Sequence, residues 1–151
     1  MGYYMRFFDT SEELLSIREI EMGLKEKDPS FRVDVPKDGA GTSGILYRDE
    51  SIYAEIEINQ PGDGLFENEI EEMLEFLEDA SSGNRERVED TLKNAKRTIS
   101  LRVLHQDRDP NETFDGLGNL WTLLFATRKG LLQADGEGYY DENGLILEEG
   151  W

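Results

Sequence analysis

The chain has 151 residues and a formal net charge of −18, from 34 Asp and Glu against 16 Lys and Arg, with no Cys and a single His. This length is expected to form one domain with its own core, a single acidic domain over residues 1–151. The lack of Cys excludes disulfides, thiolate catalysis and Cys-ligated metals, and the acid excess opposes nucleic-acid binding because it repels phosphate.

Hydrophobic periodicity and turn residues predict an alternation of strands and helices along the whole chain. Strands are expected at 3–8, 31–35, 45–48, 51–59, 98–104, 131–134, 138–140 and 145–147, and helices at 10–28, 66–77, 84–95 and 110–125. This order predicts an α+β fold, in which an antiparallel sheet has its helices packed on one face. The first elements have a ferredoxin-like βαββαβ order, extended by a C-terminal helix and strands.

Two local patterns make sharper predictions. Thr10, followed three residues later by Glu13, forms a capping-box pattern that places the start of the first helix there. In the strand 51–59, apolar residues alternate with polar ones, which predicts one buried face and one exposed face. Tyr53, Glu55, Glu57 and Asn59 are expected on the exposed face.

The most acidic segment is 63–79, which holds eight acids and no Lys or Arg. Its apolar residues recur at helical spacing, so the acids are expected on the solvent side of a helix. The candidate binding residues are Glu67, Glu71, Glu72, Glu75, Glu78 and Asp79. A solvated helix face is the simpler interpretation, and a docking surface for a basic protein is the functional one.

A second acidic stretch, 135–144, is rich in Gly and is a candidate metal site. Its candidate ligands for a divalent cation are Asp135, Glu137, Asp141 and Asn143. Asn143 followed by Gly144 is also the residue pair of a tight hairpin turn, which is the simpler interpretation. No cofactor is otherwise indicated.

Few residue patterns in the sequence indicate catalysis. His105 lies at the end of a predicted strand, which favours a hydrogen-bonding role there, and no nucleophile elbow accompanies it. Catalysis by carboxylates alone stays open, because Glu55 and Glu57 share one strand face and glycosidic cleavage needs only two acids.

These patterns favour a non-enzymatic protein-binding domain that engages a basic partner, for example in the manner of an immunity protein or antitoxin. The alternatives are a carboxylate-based or divalent-cation-dependent enzyme, and an oligomeric structural protein. We expect a monomer or homodimer in the cytoplasm, without a membrane segment, because no apolar run approaches 18 residues. The acidity is also typical of halophilic proteins, in which a strongly hydrated acidic surface keeps the chain in solution at high salt.

Overall fold

The computed structural model describes residues 3–37, 42–78 and 83–148, and within them the fold is α+β. The strands are β1 (Tyr3–Asp9), β2 (Phe31–Asp34), β3 (Ser43–Arg48), β4 (Ser51–Asn59), β5 (Arg97–Val103), β6 (Gly130–Ala134), β7 (Gly138–Asp141) and β8 (Gly144–Glu148). The helices are α1 (Ile17–Lys27), α2 (Leu65–Leu77), α3 (Arg85–Asn94) and α4 (Pro110–Thr127). The predicted class is therefore confirmed.

The eight strands form one open sheet in the order β2-β3-β4-β5-β1-β6-β7-β8, and every neighbouring pair is antiparallel. The antiparallel sheet was expected, but the ferredoxin-like order is not confirmed. The first strand lies in the middle of the sheet, where β5 bonds to one side and β6, the strand that follows the last helix, bonds to the other.

The expectation that all helices pack on one face of the sheet is wrong. One core cluster joins residues of α1 and α4 to one sheet face, and a second cluster joins α2 and α3 to the opposite face. The cause lies in β1, where Phe7 belongs to the first cluster and Phe8 to the second, and both are fully buried. Successive strand residues point to opposite faces, so two adjacent buried aromatics require cover on both sides. None of the helices described is long and apolar enough to cross a bilayer.

The first helix begins later than the capping-box pattern predicts. Its N-cap is Ser16, whose side chain accepts a hydrogen bond from the Glu19 N–H. Thr10 instead bonds to Lys129, with its N–H donating to the Lys129 carbonyl oxygen at 2.8 Å. The chain after β1 is therefore held against the start of β6, and the helix forms only once that contact ends.

Asn59, expected on the exposed face of β4, is 7% exposed, and the predicted alternation also fails at Tyr53. The pairing of β3 with β4 shifts register there, because Leu46 faces Ala54 while the next residue, Tyr47, faces Ile52. This bulge turns the Tyr53 ring into the same core as Ala54, and the ring is 4% exposed.

The buried Tyr53 ring is enclosed by two further groups. The Arg108 guanidinium carbon lies 3.7 Å from the ring centroid. On another side α4 comes so close that a Cβ placed on Gly116 would lie 2.4 Å from Tyr53 Cε2. Only a residue without a side chain fits at Gly116.

The edge strand β2 is bonded to helix α1 through its outward-facing backbone. The Val33 N–H donates to a Glu21 carboxylate oxygen at 2.7 Å, and Arg18 donates to the Val33 carbonyl oxygen at 3.1 Å. Burial alone would raise the pKa of Glu21, but the Val33 N–H and the nearby Arg18 and Lys25 together hold it below its ordinary value. Both polar groups of Val33 that face away from β3 are thus occupied.

A fully buried carboxylate joins three elements near one end of the sheet. Asp9, the last residue of β1, accepts hydrogen bonds from Arg97 of β5 at 2.6 Å and from Arg128, the C-cap of α4, at 3.0 Å. Its other oxygen accepts the Ser11 N–H at 3.0 Å. The side chains of Arg97 and Arg128 are 4% and 6% exposed, so both charges depend on this one acid.

We expect Gly116→Ala to destabilise the protein by about 1–3 kcal/mol, because the added methyl overlaps a ring that Arg108 holds in place. Gly118→Ala in the same helix is the matched control, since a Cβ there has open space, and it should stabilise by about 0.5–1 kcal/mol. Urea denaturation of the two variants measures both changes. Equal effects at the two positions would contradict the tight contact at Tyr53.

We expect Asp9→Asn to lower the free energy of unfolding by about 3–5 kcal/mol, because two buried guanidinium groups lose their counter-charge. Asp34→Asn removes the partner of the exposed Arg32 and should change the free energy of unfolding far less, because solvent screens this pair. Thermal and urea unfolding compare the two variants. A loss at Asp9 no larger than that at Asp34 would show that the buried cluster is not needed.

Candidate functional site

The sheet face opposite α1 and α4 is only partly covered by α2 and α3, and its uncovered part carries polar side chains in rows. Strand register creates the rows, because residues paired across neighbouring strands point to the same face. In one row Glu57 is paired with Ser100 and Ser100 with Arg6. In the next row Glu55 is paired with Arg102, and Arg102 with Tyr4.

These rows form the floor of a groove with two lobes, which share Tyr4, Glu57 and Ser100. The larger lobe, of about 510 Å³, extends toward the end of β2 and is also lined by Val35, Pro36 and Ile45. The smaller lobe, of about 330 Å³, lies beside α2 and is also lined by Asn59, Leu65, Asn68, Glu69, Glu72 and Met73. We call the two lobes together the acidic groove.

Negative charge prevails in the acidic groove. Its carboxylates are Asp34, Glu55, Glu57, Glu69 and Glu72, and its guanidinium groups are Arg6 and Arg102. The formal charge of this lining is therefore −3. Glu57 and Glu72 form no ion pair within the described part of the chain, so their charges face the groove uncompensated.

The two arginines are held by carboxylates. Arg102 donates to both oxygens of Glu55, at 2.6 and 3.0 Å, and these bonds lower the pKa of the Glu55 carboxyl. Glu55 is thus fixed as an ionised partner of Arg102, which makes it unsuited to act as a general acid. Arg6 donates to Glu69 of α2 at 2.7 Å and to Asp135 at 2.9 Å. This pairing ties the helix to the floor of the groove.

Glu69 has the most unusual environment of the groove carboxylates. Burial raises its pKa above the ordinary value, and the charge of Glu57 adds to the rise, although Arg6 and Ser100 oppose it. Because the folded pKa lies above the unfolded one, ionisation of Glu69 makes the folded state less stable as the pH rises through that interval. The groove therefore contains a partly buried carboxyl with a raised pKa, Glu69, beside the exposed carboxylate of Glu57.

Four of the predicted binding residues lie on the outer surface of α2, and Glu78 is its C-cap. Glu67, Glu71, Glu72, Glu75 and Glu78 are exposed, and Asp79 lies outside the described residues. Glu67 also has a structural role, since its carboxylate accepts the N–H groups of Gly62 and Gly64 at the start of the helix. Of this set only Glu72 lines the acidic groove.

The three acids among the predicted metal ligands have different hydrogen-bond partners, although Glu137, Asp141 and Asn143 line one cavity. Asp135 bonds to Arg6, to Gln133 and to the Tyr4 N–H. Asp141 pairs with Arg87 and accepts the N–H of Asn143 within the turn. Glu137 accepts the hydroxyl groups of two tyrosines. Across residues 3–37, 42–78 and 83–148, no group of three or more His, Asp or Glu could hold a metal ion.

His105 differs from its prediction as a strand-end hydrogen-bonding residue. Its Nδ1 is buried and has no partner in the described ranges, and its ring packs edge-on against Phe114 with centroids 5.3 Å apart. It lines neither lobe of the acidic groove.

Sequence reasoning missed the Arg6–Glu69 pair and the Arg102–Glu55 pair. Arg6 and Glu69 are 63 positions apart, and only the packing of α2 on the sheet brings them together. A signal for Arg6 and Arg102 was present in the sequence, since each is the one charged residue of its predicted strand, 3–8 or 98–104. In strands such residues mark a face that is polar or paired.

We expect Glu57→Gln to lower the pKa of the Glu69 carboxyl, because the substitution removes a neighbouring negative charge. NMR titration of the side-chain carboxyl carbons measures this pKa. Glu75→Gln removes an equal charge from the exposed side of α2 and should lower the pKa less. An unchanged value in the Glu57 variant, or an equal change in both variants, would contradict the coupling of the two carboxylates.

Comparison of the chain with protein-family models, with curated proteins and with solved structures found no match. No residue's role can therefore be carried over from a relative. The features that remain for a functional inference are the acidic groove, the acidic outer surface of α2 and the charges they present.

Proposed function

We propose that the protein is a non-enzymatic binding domain that engages a basic protein partner through the acidic groove and the outer surface of α2. One observation carries this proposal: the net negative lining of the groove continues onto helix α2, which has five acids and no basic residue and ends at a sixth acid, the C-cap Glu78. A neutraliser of a basic toxin, in the manner of an immunity protein or antitoxin, is a concrete version.

The lining of the groove suits the side chains of Lys and Arg. Its larger lobe combines carboxylates with the apolar surfaces of Val35, Pro36 and Ile45. Long basic side chains can lay their methylene stems along apolar surface while their charged heads meet carboxylates. The uncompensated Glu57 and Glu72 supply such carboxylates on the floor and the wall.

The charge of the whole chain adds to the attraction of a basic partner. A net charge of −18 creates a field that speeds encounter with a cationic surface, and complementary charge at the groove then favours one orientation. The same field disfavours phosphate backbones, so the proposal includes no nucleic acid.

A carboxylate-based enzyme is the second candidate, and the arrangement of Glu57 and Glu69 supports it. A carboxyl whose pKa is raised, next to a second carboxylate in a groove, is an arrangement that acid–base catalysis uses. A Glu69 pKa at or below the ordinary value for Glu, in the titration described above, would remove this candidate.

The test of the proposed function is binding of a fluorescent ten-residue lysine-rich peptide, followed by anisotropy at several KCl concentrations. We expect Glu57→Gln with Glu72→Gln to weaken binding about 2- to 30-fold, which corresponds to about 0.2–1 kcal/mol for each lost charge pair. Affinity should fall as KCl rises, because salt screens exposed charges.

The matched control is Glu26→Gln with Glu112→Gln, which removes two exposed charges from α1 and α4 on the other side of the sheet. We expect this variant to bind the peptide as the unchanged protein does. Equal weakening in the two double variants would mean that the peptide responds to total charge only, which would overturn the assignment to the acidic groove.

A further inference from the structure

A second concave site lies on the opposite face of the sheet, between α4 and the β7–β8 hairpin. Its volume is about 900 Å³, and it shares no lining residue with the acidic groove. It exists because the sheet continues beyond α4 to β7 and β8, where the first core cluster has no buried residue. We call it the α4–β7 cavity.

The walls of the α4–β7 cavity are aromatic. Phe114, Trp121 and Phe125 come from α4, and Tyr140 comes from β7. Two of these rings are fixed by edge-on contacts behind them, since Tyr3 packs against Phe114 at 5.5 Å and Phe7 against Phe125 at 5.2 Å between centroids. The cavity thus offers several aromatic rings on rigid elements.

The charged residues that line the cavity are all acids: Glu137, Asp141 and Glu142. Asp141 is paired with Arg87, which leaves Glu137 and Glu142 without a cationic partner in the described residues. Glu137 is held in place by the Tyr3 and Tyr140 hydroxyl groups, each donating to one of its oxygens at 2.5 Å. Burial and Glu137 raise the pKa of Tyr140 to about 12, so its hydroxyl keeps its proton and continues to donate.

Trp121 contributes ring surface to the wall of the cavity. The residue is 7% exposed, and its indole N–H is buried without a hydrogen-bond partner within the described chain. Because this nitrogen has almost no accessible surface, the contribution of Trp121 to a ligand in the cavity is its aromatic ring.

We propose that the α4–β7 cavity binds a small organic cation, an alkylated ammonium ion. Aromatic rings attract a cation through their negative faces, and Trp is the strongest of them. The fixed carboxylate of Glu137 supplies the counter-charge. A methylated ammonium fits better than a primary one, because a primary ammonium is strongly hydrated.

The test uses choline as the probe and its neutral isostere, 3,3-dimethyl-1-butanol, as the comparison. In the Trp151→Phe protein Trp121 is the remaining tryptophan, so its emission reports on the cavity. At constant ionic strength we expect a saturable change with choline, and binding of the neutral isostere that is at least about tenfold weaker.

Two substitutions assign the binding to the cavity. Glu137→Gln should weaken choline binding by about fivefold or more and leave the neutral isostere unaffected, whereas Glu26→Gln on α1 should change neither. Tyr140→Leu removes one ring and should also weaken choline binding, which keeps the test valid if the first variant does not fold. Calorimetry on the unsubstituted chain repeats the comparison without fluorescence.

Three results would overturn this inference. They are a linear response to choline that sodium chloride reproduces, equal affinity for choline and its neutral isostere, and equal effects of Glu137→Gln and Glu26→Gln. None of these results bears on the lysine-peptide experiment, because the α4–β7 cavity and the acidic groove lie on opposite faces of the sheet.

Discussion

The Asp9 carboxylate lies fully buried between Arg97 and Arg128 and thereby fixes the end of β1, the start of β5 and the end of α4 in one place. Both neighbours of β1 depend on this point, since β5 pairs along one side of the strand and β6 begins just after Arg128. Charges removed from water are costly unless they are paired and hydrogen-bonded, so the cluster tolerates little displacement of these elements. The two cores on either side of β1 are aligned by the same contact.

The helices on the two faces of the sheet are displaced from one another, and this displacement creates both candidate sites. Helices α1 and α4 cover one face of the central strands, whereas α2 and α3 share a core with β7 and β8 on the other face. The sheet is wide enough that each pair of helices leaves part of its own face open. The acidic groove and the α4–β7 cavity occupy these open parts.

Much of the secondary structure could be predicted from the sequence, because hydrophobic period and turn residues are local signals. The N-cap of α1 could not be predicted in this way, because Ser16 and Thr10 are both suitable N-cap residues. The contact of Thr10 with Lys129, which is distant in the chain, decides between them. The Tyr53 bulge depends on pairing with β3 and on the space that Gly116 leaves in α4. Local patterns carry no information about either.

For the candidate site, the exposure of the α2 acids followed from helical periodicity alone. The partners of Glu69 could not be predicted from periodicity, because Arg6 and Ser100 come from strands that are distant in the chain. Asp135, Glu137 and Asp141 are close together in the sequence. In the structure they bind different partners, because side chains alternate between faces along the strands and a turn separates the strands. Proximity in sequence is a weak guide to proximity in space where side chains alternate between faces.

Open sheets carry a risk at their outer strands, where unpaired backbone groups can recruit a strand from another molecule and begin aggregation. At the β2 margin this recruitment is blocked, because Glu21 and Arg18 already occupy the N–H and the carbonyl of Val33. An incoming chain would have to displace a buried carboxylate and its hydrogen bonds before it could add there. Helix α1 therefore protects the β2 edge from ordered self-assembly, and it also packs over the core.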